Sequence, residues 1–500
     1  MKKSTTLRAL AGITLVPALV FGLSACGSED TTAADKAPAD NATAIALPFA
    51  PVAHLSPFSD DALLNTRMGV GETLVQLDKD GVAQPWLADS VNRIDDRTVE
   101  FTLKKGVKFH DGTEMNSAAV VRSLQAAFDA TSRPKGLGKK PLTFTADGED
   151  KVRVQAEAAD PILVQRFADA GTIILAESAY TDPASPSVVG TATGPYTITE
   201  LSDGKAHAEA FGDYWGGAPK LEAMDVEFLT DGGARSNAIR SGEVNLAQAV
   251  PIAQLNSLKD IDVNQTPLPR GVYLHLNSAK GAFQDAGLRA AAAKAVHPKD
   301  IIEAIYEGHA GDAKGSIFVP TVDWASAADS HNTTEGATDP AGKKITLATW
   351  SERPELGEVA SVIADQLRAA GFEVDVKVSD YNSMEAALLD GEFDAVIGSR
   401  NYQLGAADPV SFLASDYTCD GSYNLSRYCN QDIDQEITKA ADIEDMDARF
   451  KKAAEIGAQI VGDNAVIPLA HEYSMIATKD LKDVTYDPFE RRLITVDTSK

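Results

Sequence analysis

The sequence predicts an α/β protein built from more than one lobe, and three observations carry that expectation. Its 500 residues exceed what one hydrophobic core usually organises, and 44% hydrophobic residues supply material for several. Residues 344–397 read as strand, helix, strand, helix, strand, the pattern of right-handed crossovers in a parallel sheet covered on both faces. Residues 98–128 instead read as paired strands followed by a helix, an α+β block of a different kind.

Lys2, Lys3 and Arg8 precede an apolar run, residues 9–22, that is too short to cross a bilayer comfortably and is interrupted by Pro17. The following Leu23-Ser24-Ala25-Cys26-Gly27 is similar to the lipobox of bacterial lipoproteins. That similarity implies cleavage of a signal peptide, residues 1–25, and a diacylglyceryl group on the Cys26 sulfur, acylation of the new amino terminus completing the anchor. The plain alternative is a secretory signal that happens to contain a cysteine. Cleavage removes three positive charges and no negative ones, taking the formal charge from −27 to −30. Residues 26–44 are small and polar, cannot offset ordering entropy by burial, and are expected to form a disordered tether.

Folded sequence is expected from near Ile45. Thr98–Leu103 alternates strictly and puts Val99, Phe101 and Leu103 on one face of a strand. Lys105-Gly106 and Asp111-Gly112 bracket a second short strand at 107–109. Asn116 or Ser117 then caps a helix whose Val120, Leu124, Ala127 and Phe128 share a face. Farther on, 344–349 is a buried strand and 355–370 a helix with Val359, Val362, Ile363 and Leu367 at helical spacing. Gly371 stands where a left-handed cap belongs; 372–378 is the next strand, 384–389 a short helix and 393–397 the third strand. Ligands of such sheets sit beyond the carboxyl ends of the strands, which points to Trp350 and to Ser399, Arg400, Asn401 and Tyr402.

Composition narrows function. Forty-six basic against 73 acidic residues disfavour a nucleic-acid partner, which needs clustered Lys and Arg. With Cys26 lipidated, Cys419 and Cys429 remain in a Gly/Ser/Asn-rich loop; a disulfide is the expected pairing, two reduced buried cysteines the alternative, and zinc lacks further ligands nearby. No GxSxG, HExxH or CxxC occurs, 336–344 misses the spacing and the Ser/Thr of a phosphate loop, and Gly69-Val70-Gly71 lacks the third glycine of a dinucleotide fingerprint. No cofactor is expected.

Several segments together resemble the extracytoplasmic solute-binding proteins of the peptide/nickel class. They are Leu55-Ser56-Pro57-Phe58, Gly71-Glu72-Thr73-Leu74-Val75, Pro85-Trp86-Leu87-Ala88 and, most specific, Leu103-Lys104-Lys105-Gly106-Val107-Lys108-Phe109-His110-Asp111-Gly112-Thr113. The resemblance continues through Thr193-Gly194-Pro195-Tyr196, Tyr214-Trp215-Gly216-Gly217-Ala218-Pro219, Leu274-His275-Leu276-Asn277, Asp408-Pro409 and Ile467-Pro468-Leu469. It implies a two-lobe fold of the periplasmic-binding-protein type, class II. Lobe one would hold residues 45–270 with an inserted α+β subdomain at about 70–187, lobe two residues 271–475, and 476–500 would return to lobe one. The chain would cross near 266–271 and again near 471–476.

It further implies a monomeric, lipid-anchored receptor on the outer face of the cell membrane, which closes on a peptide or peptide-like solute and presents it to an ABC permease driven by a separate ATPase. Alternatives are a receptor for nickel or a metal chelate, and, from another class, a lipid-anchored cell-envelope enzyme or sensor. The FHDGT tag is read as a turn, not a site. Arg400 can grip a carboxylate in bidentate fashion or form an ordinary interlobe salt bridge. Tyr402 and Trp350 line the cleft or pack in the core; Asn401, Gln403 and Asp408 share one loop, where Asp408 can also simply start a turn before Pro409. Asn277, His54 and Phe58 complete the candidates. Peptide binders of this family often carry an Asp four residues before the proline that here is Pro409, to pair with the peptide amino terminus; Gly405 stands there. An amine anchor must then come from Asp408 or another carboxylate. Val410 stands where the nickel branch has a His.

Overall fold

The computed structural model describes residues 41–351, 353–403 and 405–500; the signal-peptide segment, Cys26 and the tether up to residue 40 lie outside the described residues. The first strand, Thr43–Leu47, starts two residues ahead of Ile45.

One 11-stranded sheet runs through the molecule. From one edge its order is Glu373–Ser379, Lys344–Trp350, Ala395–Asn401, Asp262–Leu276, Val466–Thr478, Leu246–Ala247, Thr43–Leu47, Ala223–Phe228, Lys205–Ala210 and Tyr196–Ser202, with Ala310–Asp312 added beside Val466–Thr478. Lys344–Trp350 pairs in parallel with both of its neighbours, as its crossovers require. Helix Pro354–Ala369 covers this part of the sheet: Val359, Ile363 and Leu367 are fully buried, each worth about 1.5–3 kcal/mol of removal from water. Gly371 (φ +112°) turns the chain out of the helix, a conformation L side chains rarely adopt.

Two expectations need correction here. The third strand begins at Ala395, not 393, and continues to Asn401, because Arg270–Leu276 pairs with it in antiparallel register. The sheet is therefore mixed. Nor is it covered throughout, since the edge strand Glu373–Ser379 alternates and leaves Val378 half exposed.

Asp262–Leu276 and Val466–Thr478 are the longest strands and join the two halves of the sheet. Their antiparallel register shifts between Pro267 and Gly271 and again after Val272. Pro267 and Pro269 offer no N–H to a ladder, so the pairing is interrupted where the sheet passes from one half to the other.

A separate antiparallel sheet has the order Ala88–Asp95, Thr98–Leu103, Lys151–Ala156, Leu142–Asp147. Helix Ser117–Asp129 packs on it through Val120, Leu124 and Ala127, and the Asn116 side chain caps it by accepting the Ala119 N–H. The strand expected at 107–109 reduces to one isolated bridge, Lys108 to Glu114. Asp111 accepts the Thr113 N–H and the chain reverses too tightly to extend a ladder, so the FHDGT segment is a turn. Among the described residues no helix is long and apolar enough to cross a membrane.

Candidate functional site

Charged residues are rare inside buried strands, yet both crossing strands carry one at the break in their register, Arg270 and Glu472. The Glu472 carboxylate accepts hydrogen bonds from Arg353 (2.8 Å) and Ser399 (2.9 Å), and the Arg270 guanidinium lies 3.8 Å away. Arg353 precedes the helix after Lys344–Trp350, and Ser399 lies near the end of Ala395–Asn401. These groups thus meet at the carboxyl ends of the parallel strands. Burial and the adjacent Arg353 hold the Arg270 guanidinium below its ordinary value, with Glu472 and Glu490 opposing them.

Arg400 sits beside this group. Its Nε and Nη2 grip both oxygens of Asp416 at 2.6 and 2.7 Å, and its guanidinium stacks 3.8 Å from the Tyr423 ring centre. Burial opposes its charge, but the bidentate carboxylate holds it above the usual arginine value. Trp350 is buried, edge-on to Tyr381; a Cβ on Gly398 would lie 2.9 Å from its ring, so glycine makes room for the indole. Asn401 accepts the Gln403 N–H at 2.8 Å and shapes the loop. Gln403 is buried with neither carboxamide atom hydrogen-bonded.

The remaining candidates have structural occupations. Tyr402 is buried, its hydroxyl accepting the Val319 N–H and its ring packed against Phe318, so it belongs to the core behind the site. Asp408 caps helix Pro409–Tyr417 and is gripped by Arg449 at 2.8 and 2.7 Å, leaving it no freedom to meet a ligand amine. Asn277 donates to the Gly391 and Phe393 carbonyls and accepts from the Ala279 and Lys280 N–H groups, fully satisfied. Phe58 is core. His54 is exposed, on a loop with positive φ at His54 and Leu55 that the Asp61 carboxylate pins by accepting the N–H groups of Val52, Ala53 and Leu55. The disulfide Cys419–Cys429 closes the loop that presents Tyr423 to Arg400.

Other contacts tie segments outside this sheet to one another. The Trp324 indole N–H donates to the Asp80 carbonyl (3.0 Å), and Arg491, from the C-terminal segment, donates to the carbonyls of Ala168 and Gly405. Gly405 has φ +68°, and a Cβ there would lie 3.3 Å from the Gly136 nitrogen, so an aspartate would be both strained and crowded. The charged groups that the sequence reading overlooked, Arg270, Arg353, Glu472 and Arg491, come from distant segments. The legible signal was Arg270 and Glu472, each a charge within an apolar strand pattern.

Two sheet halves joined by paired crossing strands, with charged side chains at the break, define the class of fold, and comparison identifies it. Residues 82–424, more than half the chain, match the family described as bacterial extracellular solute-binding proteins, family 5 Middle, and the chain belongs to that family. Nickel-binding protein NikA of Staphylococcus aureus is 27% identical over 87% of this chain and 88% of its own. The probable D,D-dipeptide-binding periplasmic protein DdpA of Escherichia coli is 24% identical over 83% and 84%. Among solved structures, NikA from Brucella suis in complex with Fe(III)-EDTA superposes with TM-score 0.80 at 21% identity, covering 92% of this chain and all of the other. A dipeptide-binding protein from Pseudoalteromonas in complex with Met-Leu gives 0.72 at 20%, with the same coverage of both chains. The fold is the two-lobe, class II periplasmic-binding-protein type.

Proposed function

We propose that this protein is a lipid-anchored receptor of an ABC importer that captures a carboxylate-bearing, peptide-like solute at the junction of its lobes and delivers it to the permease without breaking a bond. The anchor would be Cys26. Lobe one would comprise residues 45–270, with its subdomain at about 70–187, together with 476–500; lobe two would comprise 271–475. The observation that carries this reading is the convergence of Arg270, Arg353 and Arg400 at the strand ends beside the interrupted pairing of the crossing strands. Guanidinium groups held this way suit carboxylates, and a solute touching both halves would favour the closed state by its differential contacts. Calorimetry with scattering tests it: saturable binding of a dipeptide accompanied by a fall in radius of gyration and no product is expected. Turnover of the peptide, with loss on altering Arg270, Arg353 or Arg400, would instead favour an envelope enzyme.

A metal chelate is the second reading, favoured by the similarity to NikA. Among the described residues no group of three His, Cys, Asp or Glu is placed to hold a metal ion, so a metal would arrive already chelated, its chelator's carboxylates meeting the arginines. Tighter binding of nickel with L-histidine than of L-histidine alone would select this reading.

A further inference from the structure

Side chains from three other segments converge on the carboxylate of Glu490. Glu490 accepts a hydrogen bond from Gln248 Nε2 at 3.2 Å and one from Ser474 at 3.4 Å, and its Oε2 lies 3.7 Å from Arg67 Nη2. Arg67 also donates through Nε to the Glu490 carbonyl at 2.6 Å. All three side-chain contacts are long, and the Glu490 side chain is 23% exposed whereas that of Arg67 is 4% exposed. Glu490 has φ +54°, a left-handed conformation uncommon outside glycine.

Two atoms flanking this carboxylate are buried without hydrogen-bond partners: Arg67 Nη1, a donor, and Gln248 Oε1, an acceptor. Each belongs to a planar group whose other arm already approaches Glu490. An acceptor for Arg67 Nη1 and a donor for Gln248 Oε1 are wanted around this partly exposed carboxylate. A dianion would serve Arg67 but be repelled by Glu490; a simple cation would serve Glu490 and Gln248 but not Arg67. An ammonium and a carboxylate on one carbon serve all three. The Phe49 ring, 57% exposed and 5.6 Å from the Arg67 guanidinium, offers an apolar wall to the rest of such a solute.

We propose that Glu490, Gln248 and Arg67 form a head-group subsite for a free α-amino-carboxylate, with Glu490 and Gln248 Oε1 receiving the ammonium and Arg67 Nη1 the carboxylate. The assignment rests on the receptor reading and deepens it. It supplies the amine anchor that Gly405 lacks and that Asp408, held by Arg449, cannot provide.

Calorimetry on the whole protein tests it with L-leucine, γ-L-glutamylglycine and their N-acetyl and α-methyl-ester forms. At least one free form should bind, and blocking its α-amine or its α-carboxylate should weaken binding by about tenfold or more. Glu490→Gln should lower affinity for the free form to that of the N-acetyl form on the unaltered protein. Glu490→Gly, which removes the carboxylate and relieves the positive φ, should do the same. Full affinity in either variant, indifference to N-acetylation or esterification, or failure of every free form to bind overturns the subsite. In that last case a solute co-purified from the host and seen by native mass spectrometry would leave the receptor reading standing without it.

Discussion

Two arginine–aspartate pairs in the same half of the molecule share a bidentate geometry and differ in their surroundings. In Arg449–Asp408 both side chains are at most 3% exposed, and the spare Nη1 donates to the carbonyls of Ala440, Ala441 and Ile443. That pair is closed, and it ties helix Met446–Gly462 to the start of helix Pro409–Tyr417. In Arg400–Asp416 the aspartate is equally buried but the arginine is 20% exposed and stacks on Tyr423 at the strand ends. The difference is whether the guanidinium is enclosed by carbonyls or stays partly exposed. A bidentate pair alone marks neither stability nor binding; what surrounds the remaining donors does.

If the first pair is structural, Asp408→Ala strands a buried guanidinium and should lower unfolding free energy by about 3–5 kcal/mol, while the folded fraction keeps its solute affinity. Denaturant titration paired with calorimetry checks both halves of that statement. Glu72 sharpens the comparison, being a buried carboxyl whose hydrogen-bond donors are the neutral Tyr214 and Trp215; burial pushes it up to about 7 against the hydrogen bonds, which pull it down. Its folded value lies above the unfolded one near 4.5, so its contribution is full below pH 4.5 and is lost as pH rises to 7, about 3 kcal/mol in all. Glu72→Gln should remove that slope from stability measured between those pH values.

The disulfide bears on the second pair, because Cys419–Cys429 closes the loop carrying Tyr423. Replacing both cysteines by serine should reduce stability by about 2–3 kcal/mol, read as an earlier thermal midpoint. Smallest in magnitude is the effect that separates the pairs. Arg400→Ala combined with Asp416→Asn avoids leaving a buried charge, so it should retain most of the stability lost by Arg400→Ala alone yet weaken solute binding by about 2 kcal/mol. Full affinity in that double variant would make Arg400–Asp416 a second copy of the structural pair.

Local elements were legible because their signals are local. Thr98–Leu103 alternates, Asn116 caps the next helix, and the apolar spacing through Leu367 marks helix Pro354–Ala369. The strand-end rule brought Arg400 into view and, with it, Trp350 and Ser399. What escaped depends on distant partners. Tyr402 is core because Val319 and Phe318 come to it, and Asp408 is closed because Arg449 does. The third strand outruns its apolar pattern because a crossing strand 129 positions earlier supports it, as Arg270 supports Ser399. Arg67, Gln248 and Glu490 carry no pattern of their own and meet only when the C-terminal segment returns to the first half of the sheet.

The receptor account is tested most directly by native mass spectrometry of the protein purified from its own host. A bound small solute is expected, released on denaturation, carrying a carboxylate, and depleted from the Arg400→Ala/Asp416→Asn variant. Protein that is uniformly solute-free and acquires no ligand from the host's growth medium would contradict it.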